Sequence, residues 1–154
     1  VLCINMPQLA NNKRGTFDYE ILDKMEVGIV LSGQEVKSVK LGQINLRGSY
    51  VTVRGNEAFL LNAHIPQYAK ASRLGAYDPY RTRKLLMHKK EISSLIGKIK
   101  EKGLTMIPLS VYTIHNRIKL EIALGRSKKA PDKRESIKKR ELDRRIRREV
   151  GAEL

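Results

Sequence analysis

Candidate catalytic residues are few and widely separated in this chain. Its three histidines, His64, His88 and His115, have no cysteine or acidic residue at the spacing of a metal-ligand set. Glu26 and Glu35 could be imagined as an acid pair, but strands and short helices carry scattered acids routinely. There is no glycine-rich loop of the P-loop type and no Gly-x-Ser-x-Gly motif. We therefore expect no catalytic residue, no metal site and no cofactor, and binding is the better class of function.

Binding chemistry is better represented, because basic residues lie beside aromatic ones near the start of the chain. Lys13 and Arg14 precede Phe17 and Tyr19, which alternate with polar neighbours. Aromatic rings can stack on unpaired bases, and cations can bind phosphates. Two alternatives stay open. The basic pair could be a solvated terminus, and at least one of the two rings could pack in the core, since both are predicted on one strand face.

A second basic group lies further along the chain. Arg81, Arg83 and Lys84 could bind phosphates or simply hold the rim of the fold, and the sequence does not choose between these roles. They follow residues 64–79, which mix Pro, Gly, Ser and Tyr and are predicted to form a long surface loop. Binding residues often occur on such loops.

The overall charge indicates the kind of partner. The 154 residues carry 31 Lys or Arg against 16 Asp or Glu, a net charge of +15, so nucleic acid is the leading class. A membrane surface would need an amphipathic helix with a broad apolar face, and none is convincing. No apolar run approaches the roughly 20 residues that span a bilayer. The single cysteine, Cys3, suits a reducing compartment, so we expect a soluble, cytoplasmic protein with no membrane partner.

Residues 125–154 differ from the rest in composition. They hold twice as many Lys and Arg as Asp and Glu, and their apolar residues are too scattered to build a core. We expect a basic tail that is disordered or loosely helical in isolation. Asp132 can cap a helix. On that helix Leu142, Ile146 and Val150 form a narrow apolar stripe, so the tail is predicted to become helical on a surface that its partner supplies.

Between the two ends, alternation and turn residues predict short strands and two helices. The predicted strands are residues 16–31, 50–53, 58–61, 83–87, 104–114 and 117–124, and the predicted helices are residues 35–42 and 89–102. The second and third strands should form a hairpin. Gly28 should place a bulge or bend in the first strand, and Pro108 should mark an edge or a bulge in the fifth.

About six short strands joined mostly by local turns predict a mainly β fold. A closed antiparallel β-barrel of the oligonucleotide-binding (OB) type, with two or three helices and a basic C-terminal tail, leaves few strand edges exposed. A two-layer α+β sandwich is the alternative. We divide the chain into a flexible lead-in at residues 1–11, an OB-like RNA-binding barrel at residues 12–124 and the tail at residues 125–154.

Many stretches match the pattern of one known family, in order and with the same spacing. They are Asn12-Lys13-Arg14, Phe17-Asp18-Tyr19, Ser49-Tyr50, His64-Ile65, Lys128-Lys129, Asp132-Lys133-Arg134 and residues 26–38, 57–60, 78–86, 89–92, 97–98, 102–105, 108–109 and 119–123. In this pattern, over about residues 12 to 148, the chain resembles the bacterial SsrA-binding protein family, also called small protein B.

The resemblance implies a partner of transfer-messenger RNA (tmRNA) in trans-translation, the rescue of ribosomes stalled on messages without a stop codon. In that family an OB-like barrel binds the tRNA-like domain of tmRNA and stands in for the missing anticodon stem. The basic tail enters the empty messenger channel near the decoding centre of the stalled 70S ribosome. Alanyl-tRNA synthetase and elongation factor Tu would be indirect partners through tmRNA. The protein would be a monomer and not an enzyme.

Residue by residue, the match implies two binding groups. The RNA-facing group is Asn12, Lys13, Arg14, Phe17, Tyr19, Glu26, Lys37 and Lys119. The ribosome-facing group of the tail is Lys128, Lys129, Asp132, Lys133 and Arg134. Glu26 is unusual, because an acid that faces RNA is repelled unless it accepts hydrogen bonds from bases or orders an arginine. A strand-end salt bridge is its structural alternative.

Three positions depart from the family pattern. Phe17 stands where histidine is most common, so stacking is retained and a hydrogen bond is lost. Pro131 replaces a residue that is usually aromatic or histidine. After His64 the order is Ile-Pro-Gln-Tyr, whereas in the family pattern proline directly precedes tyrosine, so we expect the loop to bend differently. The rival hypotheses are a general single-strand RNA-binding or ribosomal protein on the same barrel, and an enzyme that acts on RNA.

Overall fold

The structure is a computed structural model that describes residues 8–70 and 75–152. In these ranges it has seven strands and four helices. The strands are β1 (Gln8–Asn11), β2 (Tyr19–Ile29), β3 (Tyr50–Arg54), β4 (Glu57–Leu61), β5 (Arg83–Leu86), β6 (Thr105–Ile114) and β7 (Arg117–Ser127). The helices are α1 (Lys13–Asp18), α2 (Gly33–Lys40), α3 (Lys89–Lys102) and α4 (Ala130–Ala152). Cys3 and the side chain of Pro131 lie outside what is described.

The strands pair in antiparallel fashion in the order β1-β6-β3-β4-β5-β2-β7. A further pairing of β6 with β7 closes a cycle of six strands. The other edge of β6 pairs with two strands. Ala10 of β1 lies opposite Val111, and Val51 of β3 lies opposite Met106. The predicted mainly antiparallel β fold with helices is therefore confirmed. The strand that the sequence analysis did not predict is β1.

The core is built from the inward faces of the long strands. Leu120, Ile122 and Leu124 alternate along β7 as predicted, and each is at most 2% exposed. They belong to one apolar cluster with Val39 of α2 and Leu95 of α3. Each such side chain contributes about 1.5–3 kcal/mol when it is fully buried. A second, smaller apolar cluster contains Ile107, Leu109 and Ala123.

The predicted hairpin of β3 and β4 is present, and β6 and β7 form another. Val51 lies opposite Leu60 in the β3–β4 hairpin. The β6–β7 hairpin turns at His115 and Asn116, whose φ angles of 47° and 62° lie in the left-handed region. Two-residue hairpin loops with both residues in this region match the right-handed twist of the strands.

Of the two predicted irregularities, one is confirmed. The β6–β7 register shifts between Pro108 and Ser110, as expected for a proline in a strand. In β2 the shift lies between Ile21 and Asp23 instead of at Gly28. A Cβ atom at Gly28 would lie 3.2 Å from the side chain of Leu86. Close approach of β5 therefore explains this glycine better than a bulge does.

Helix α3 spans the residues that the periodicity predicts. The carboxylate of Glu91 accepts a hydrogen bond from the backbone N–H of His88 at 3.0 Å, which closes the first turn. Gly103 ends the helix with a φ of 59°. Helix α2 begins two residues earlier than predicted, because the Ser32 hydroxyl and the Glu35 carboxylate form a capping box.

The N-terminal region differs most from the prediction. A strand was expected from residue 16, whereas residues 13–18 form α1. The Asn12 side chain caps this helix by accepting the N–H of Gly15 at 3.1 Å, and the Thr16 hydroxyl donates to the carbonyl of Lys13. A helix of fewer than two turns has almost no apolar periodicity. Gln8–Asn11, within the expected lead-in, pair with β6 as β1.

Candidate nucleic-acid interface

Asn12 sets the position of the basic residues that follow it. Its side chain is buried and donates to the carbonyl of Pro108 at 2.9 Å while it caps α1. Both polar atoms of the amide are therefore used inside the protein. Asn12 fixes the start of α1 against β6, and Lys13 and Arg14 extend from that start into solvent.

The two aromatic residues near α1 have different surroundings, so the expectation of one shared strand face is wrong. Phe17 lies on α1, and the guanidinium of Arg140 from α4 lies 4.8 Å from its ring centroid. Tyr19 begins β2 and packs against a small apolar cluster that contains Ile107 and Ala123. Both rings are half-buried. The Tyr19 ring is thus partly packed in the core, which is the alternative that the sequence left open.

Glu26 and Lys119 share the outward face of the sheet with a residue that the sequence analysis missed. The Tyr112 hydroxyl donates to the Glu26 carboxylate at 2.6 Å. Burial raises the pKa of Tyr112, and the hydrogen bond to Glu26 raises it further, so the phenol stays protonated. Tyr112 lies opposite Lys119 in the β6–β7 register. Glu26 is exposed and held by this tyrosine instead of by the strand-end salt bridge that was its structural alternative.

Lys37 lies on a different element from the other predicted RNA-facing residues. It is exposed on α2, and its ammonium lies 5.4 Å from the ring centroid of Tyr68. Such a cation–π contact is worth about 0.5–1 kcal/mol at an exposed site. Lys37 therefore contacts the loop after β4.

The basic group at residues 81–84 is mainly structural. Arg83 is fully buried and forms an ion pair with Glu35, which is 1% exposed, and Arg81 donates to the same carboxylate. The Arg83 guanidinium also donates to the carbonyls of Ala63 and Pro79, so it holds the loop between β4 and β5. Arg83 is not available for phosphate.

The same ion pair explains why Glu35 is buried, although the sequence alone could place it in an acid pair with Glu26. Burial alone would raise the pKa of Glu35, but the Ser32 N–H and the Arg81 and Arg83 guanidiniums together lower it. Glu35 is thus a buried structural carboxylate, while Glu26 is on the sheet surface with Tyr112. In residues 8–70 and 75–152, no group of three His, Cys, Asp or Glu could hold a metal ion.

The tail contacts α1 at Asp18. The backbone N–H of Lys128 donates to the carbonyl of Asp18 at 2.9 Å. The Asp18 carboxylate lies 3.5 Å from the ammonium of Lys133 and 3.3 Å from the guanidinium nitrogen of Arg14. The predicted RNA-facing α1 and the predicted ribosome-facing tail therefore meet at one carboxylate. Lys129 extends into solvent beside this contact.

Helix α4 begins earlier than the sequence suggested. Asp132 was expected to be the N-cap, but the helix starts at Ala130, so Asp132 lies in the first turn. A negative charge there still stabilises the helix by its interaction with the helix dipole. Arg134 is exposed in the same region. The stripe of Leu142, Ile146 and Val150 is 48–58% exposed. No helix in the described part of the chain is long and apolar enough to cross a membrane.

The comparisons with known proteins agree with one another. The sequence model described as SmpB protein matches residues 9–152. The chain is 48% identical over 147 residues to an SsrA-binding protein of Acaryochloris marina, covering 94% of this chain and 96% of that one. It is 51% identical over 136 residues to an SsrA-binding protein of Microcystis aeruginosa, covering 88% of each. A solved structure described as "tmRNA-SmpB: a journey to the center of the bacterial ribosome" is similar, with a TM-score of 0.64, 43% identity and 79% and 85% coverage.

Proposed function

The chain belongs to the SmpB protein family, and we propose that it binds tmRNA and acts in trans-translation, the rescue of stalled ribosomes. The observation that carries this proposal is the match of the family over residues 9–152, which includes both the sheet and the tail. Relatives named SsrA-binding protein align over 94% and 88% of the chain, so the likeness extends over most of its length.

The RNA-binding surface, in this proposal, consists of α1 and the outward face of β2, β6 and β7. Lys13 and Arg14 supply phosphate contacts, and each neutralised phosphate releases counterions. Glu26, held by Tyr112, accepts hydrogen bonds from base amino or imino groups, and Lys119 beside it offsets the negative charge. Folded RNA offers such unstacked bases in its loops, whereas its helices offer phosphates and 2′-hydroxyls. Phe17 is a stacking surface, and Lys37 extends the contact to α2.

The closed cycle of six strands supports an OB-like barrel as the architecture of the RNA-binding unit. We assign this unit to residues 12–124, extended by β1 from the lead-in and by residues 125–127, which belong to β7. A barrel of this kind would stand in for the missing anticodon stem and present tmRNA to the stalled ribosome.

The tail is assigned to the ribosome. Its basic residues, which include Lys128, Lys129, Lys133 and Arg134, suit a channel lined by RNA phosphates. The exposed stripe on α4 would gain a covering surface in the empty messenger channel, near the decoding centre. Alanyl-tRNA synthetase and elongation factor Tu are indirect partners through tmRNA, and the protein acts as a monomer in the cytoplasm, where ribosomes translate.

A general single-strand RNA-binding or ribosomal protein is the main rival. It predicts equal affinity for any unpaired RNA of the same length, because stacking and phosphate contacts are sequence-tolerant. A competition gel with labelled tmRNA and unlabelled unrelated RNA separates the two functions. We expect unlabelled tmRNA to compete far better than the unrelated RNA. Equal competition would contradict the proposal.

A further inference from the structure

A cavity of about 380 Å³ opens between α1, the turn before β3 and the first residues of β6. Its walls include Arg14 and Tyr19 on one side and Arg47 and Tyr50 on the other, and its floor includes the buried Ile107. Ser49 and Tyr50 belong to the sequence pattern matched above, yet they have no role in the binding groups. The cavity is also distinct from the sheet face that carries Glu26, Tyr112 and Lys119.

The aromatic wall is accessible. Tyr50 is 42% exposed although it is the first residue of β3 and lies opposite Leu61 in the hairpin. Beside it, Gly48 has a φ of 74°, and no atom lies within 4 Å of the position that a Cβ would take. The space beside the Gly48 backbone is therefore open. An exposed aromatic ring in such a space is a stacking surface for a base.

The cavity is positively charged at its rim. The Arg14 side chain is 62% exposed, and Arg47 is exposed as well. The acid in the wall, Asp18, is already paired with Arg14 and with Lys133 of α4. A ligand that brings a phosphate therefore meets Arg47 and the group of Arg14, Asp18 and Lys133, whose net charge is positive. Guanidinium groups bind phosphate oxygens in bidentate geometry.

The turn that carries Arg47 and Tyr50 is already ordered. The Asn45 side chain accepts the N–H of Arg47 at 2.9 Å, and the Ser49 hydroxyl donates to the carbonyl of Leu46. Asn45 also pairs with the backbone of His64. Little conformational entropy would be lost when a ligand enters, since the turn does not have to order itself.

We propose that this cavity binds one unpaired nucleotide of RNA, with its base stacked on Tyr50 and its phosphate held by Arg47 and Arg14. The inference deepens the proposed function and rests on it, because the nucleotide belongs either to tmRNA or to the RNA of the ribosome. A cavity lined by an exposed aromatic ring and two arginines fits a nucleotide better than a phosphopeptide, which has no base to stack.

The test uses the full-length protein with four variants and two measurements. The variants are Tyr50→Ala, Tyr50→Phe, Arg47→Ala and, as the control at the opposite end of β3, Arg54→Ala. One measurement is the affinity for tmRNA, and the other is peptide tagging on stalled ribosomes. Circular dichroism checks that each variant is folded. Loss of tmRNA affinity, with tagging reduced in turn, assigns the nucleotide to tmRNA, whereas loss of tagging at unchanged tmRNA affinity assigns it to the RNA of the ribosome.

We expect Tyr50→Ala to weaken the affected activity, either tmRNA affinity or tagging alone, by about 5-fold to 150-fold, the effect of losing one base–aromatic stack. Tyr50→Phe should retain it, Arg47→Ala should reduce it, and Arg54→Ala should match the wild type. The inference is overturned if Tyr50→Ala and Arg47→Ala equal the wild type in both measurements, or if Tyr50→Phe fails as badly as Tyr50→Ala. The proposed function fails separately, if the wild type does not prefer tmRNA to unrelated RNA.

Discussion

The guanidinium of Arg140 lies 4.8 Å from the ring centroid of Phe17, and this contact joins the tail helix to α1. Together with the contacts of Asp18 to Lys128 and Lys133, it holds the first half of α4 against the folded unit. The second half, with its exposed apolar stripe, makes no such contact in the described residues. Two segments to which we assign different partners are thus mechanically connected.

Loss of this contact should loosen the tail. We expect Arg140→Ala to speed amide hydrogen exchange in residues 130–140 by about 2-fold to 5-fold, the value of one exposed cation–π interaction. Exchange measured by mass spectrometry on the free protein checks this. Arg147→Ala, in the exposed second half of α4, is the control and should leave residues 130–140 unchanged. Equal effects of the two variants would show that the Phe17 contact does not hold the tail.

The buried pair of Glu35 and Arg83 should matter more for stability than the surface pairs. We expect Glu35→Gln to lower the free energy of unfolding by about 3–5 kcal/mol at neutral pH, because it leaves the buried Arg83 charge uncompensated. Glu57→Gln, which breaks the half-exposed pair with Lys84, should cost about 0–1 kcal/mol. Urea titration of the three proteins gives both differences, and similar costs would contradict the structural role of Arg83.

The same pair sets a pH dependence. Because the pKa of folded Glu35 lies below its ordinary value of 4.5, the stabilisation is fully present above about pH 4.5. It is lost as the pH falls through the lower, folded-state pKa, where the carboxyl becomes protonated in both states. The stability difference between wild type and Glu35→Gln should therefore shrink only below about pH 4.5. A difference that already shrinks near pH 6 would contradict the lowered pKa.

Lys119 should contribute through phosphate contact. Replacing Lys119 by alanine should weaken tmRNA binding and lower the slope of log affinity against log salt by about 0.7–0.9, one phosphate contact. Lys100→Ala, an exposed lysine on α3, is the charge-matched control and should keep the wild-type slope. Measuring the affinity for tmRNA at several salt concentrations gives both slopes. An unchanged slope for Lys119→Ala would remove it from the interface.

Deletion of residues 128–154 should separate the two activities. We expect tmRNA binding to remain largely intact and peptide tagging on stalled ribosomes to disappear, since the tail is assigned to the messenger channel. A full-length variant with Leu142, Ile146 and Val150 changed to serine keeps the charge and loses the stripe. It should also bind tmRNA and tag poorly. If the truncated protein lost its affinity for tmRNA, the division between folded unit and tail would be wrong.

Strand alternation predicted much of the fold because the buried faces of β3, β4 and β7 leave a regular pattern in the sequence. Helix α3 was equally clear, since Ile92 and Leu95 lie on one face and Gly103 ends it. Helix α1 and strand β1 were not predictable in this way. Both are short, and both depend on tertiary contacts with β6, such as the hydrogen bond from Asn12 to Pro108.

The site was predictable only in part. Family resemblance selected Glu26 and Lys119, but Tyr112 reaches Glu26 from a position 86 residues away, and no local pattern reveals that register. Arg83 could be read as a phosphate ligand because a buried arginine and an exposed one look alike in sequence. In the structure Arg83 is buried with its ion-pair partner Glu35, so it is not available for phosphate.

The central claim is that one structured RNA is the ligand of this basic fold. Sequencing the RNA that copurifies with the full-length protein from cells tests it most directly. We predict that tmRNA is enriched far above its share of cellular RNA and stays bound when unrelated transcripts are added in excess. Recovery of RNAs in proportion to their cellular abundance would contradict the account.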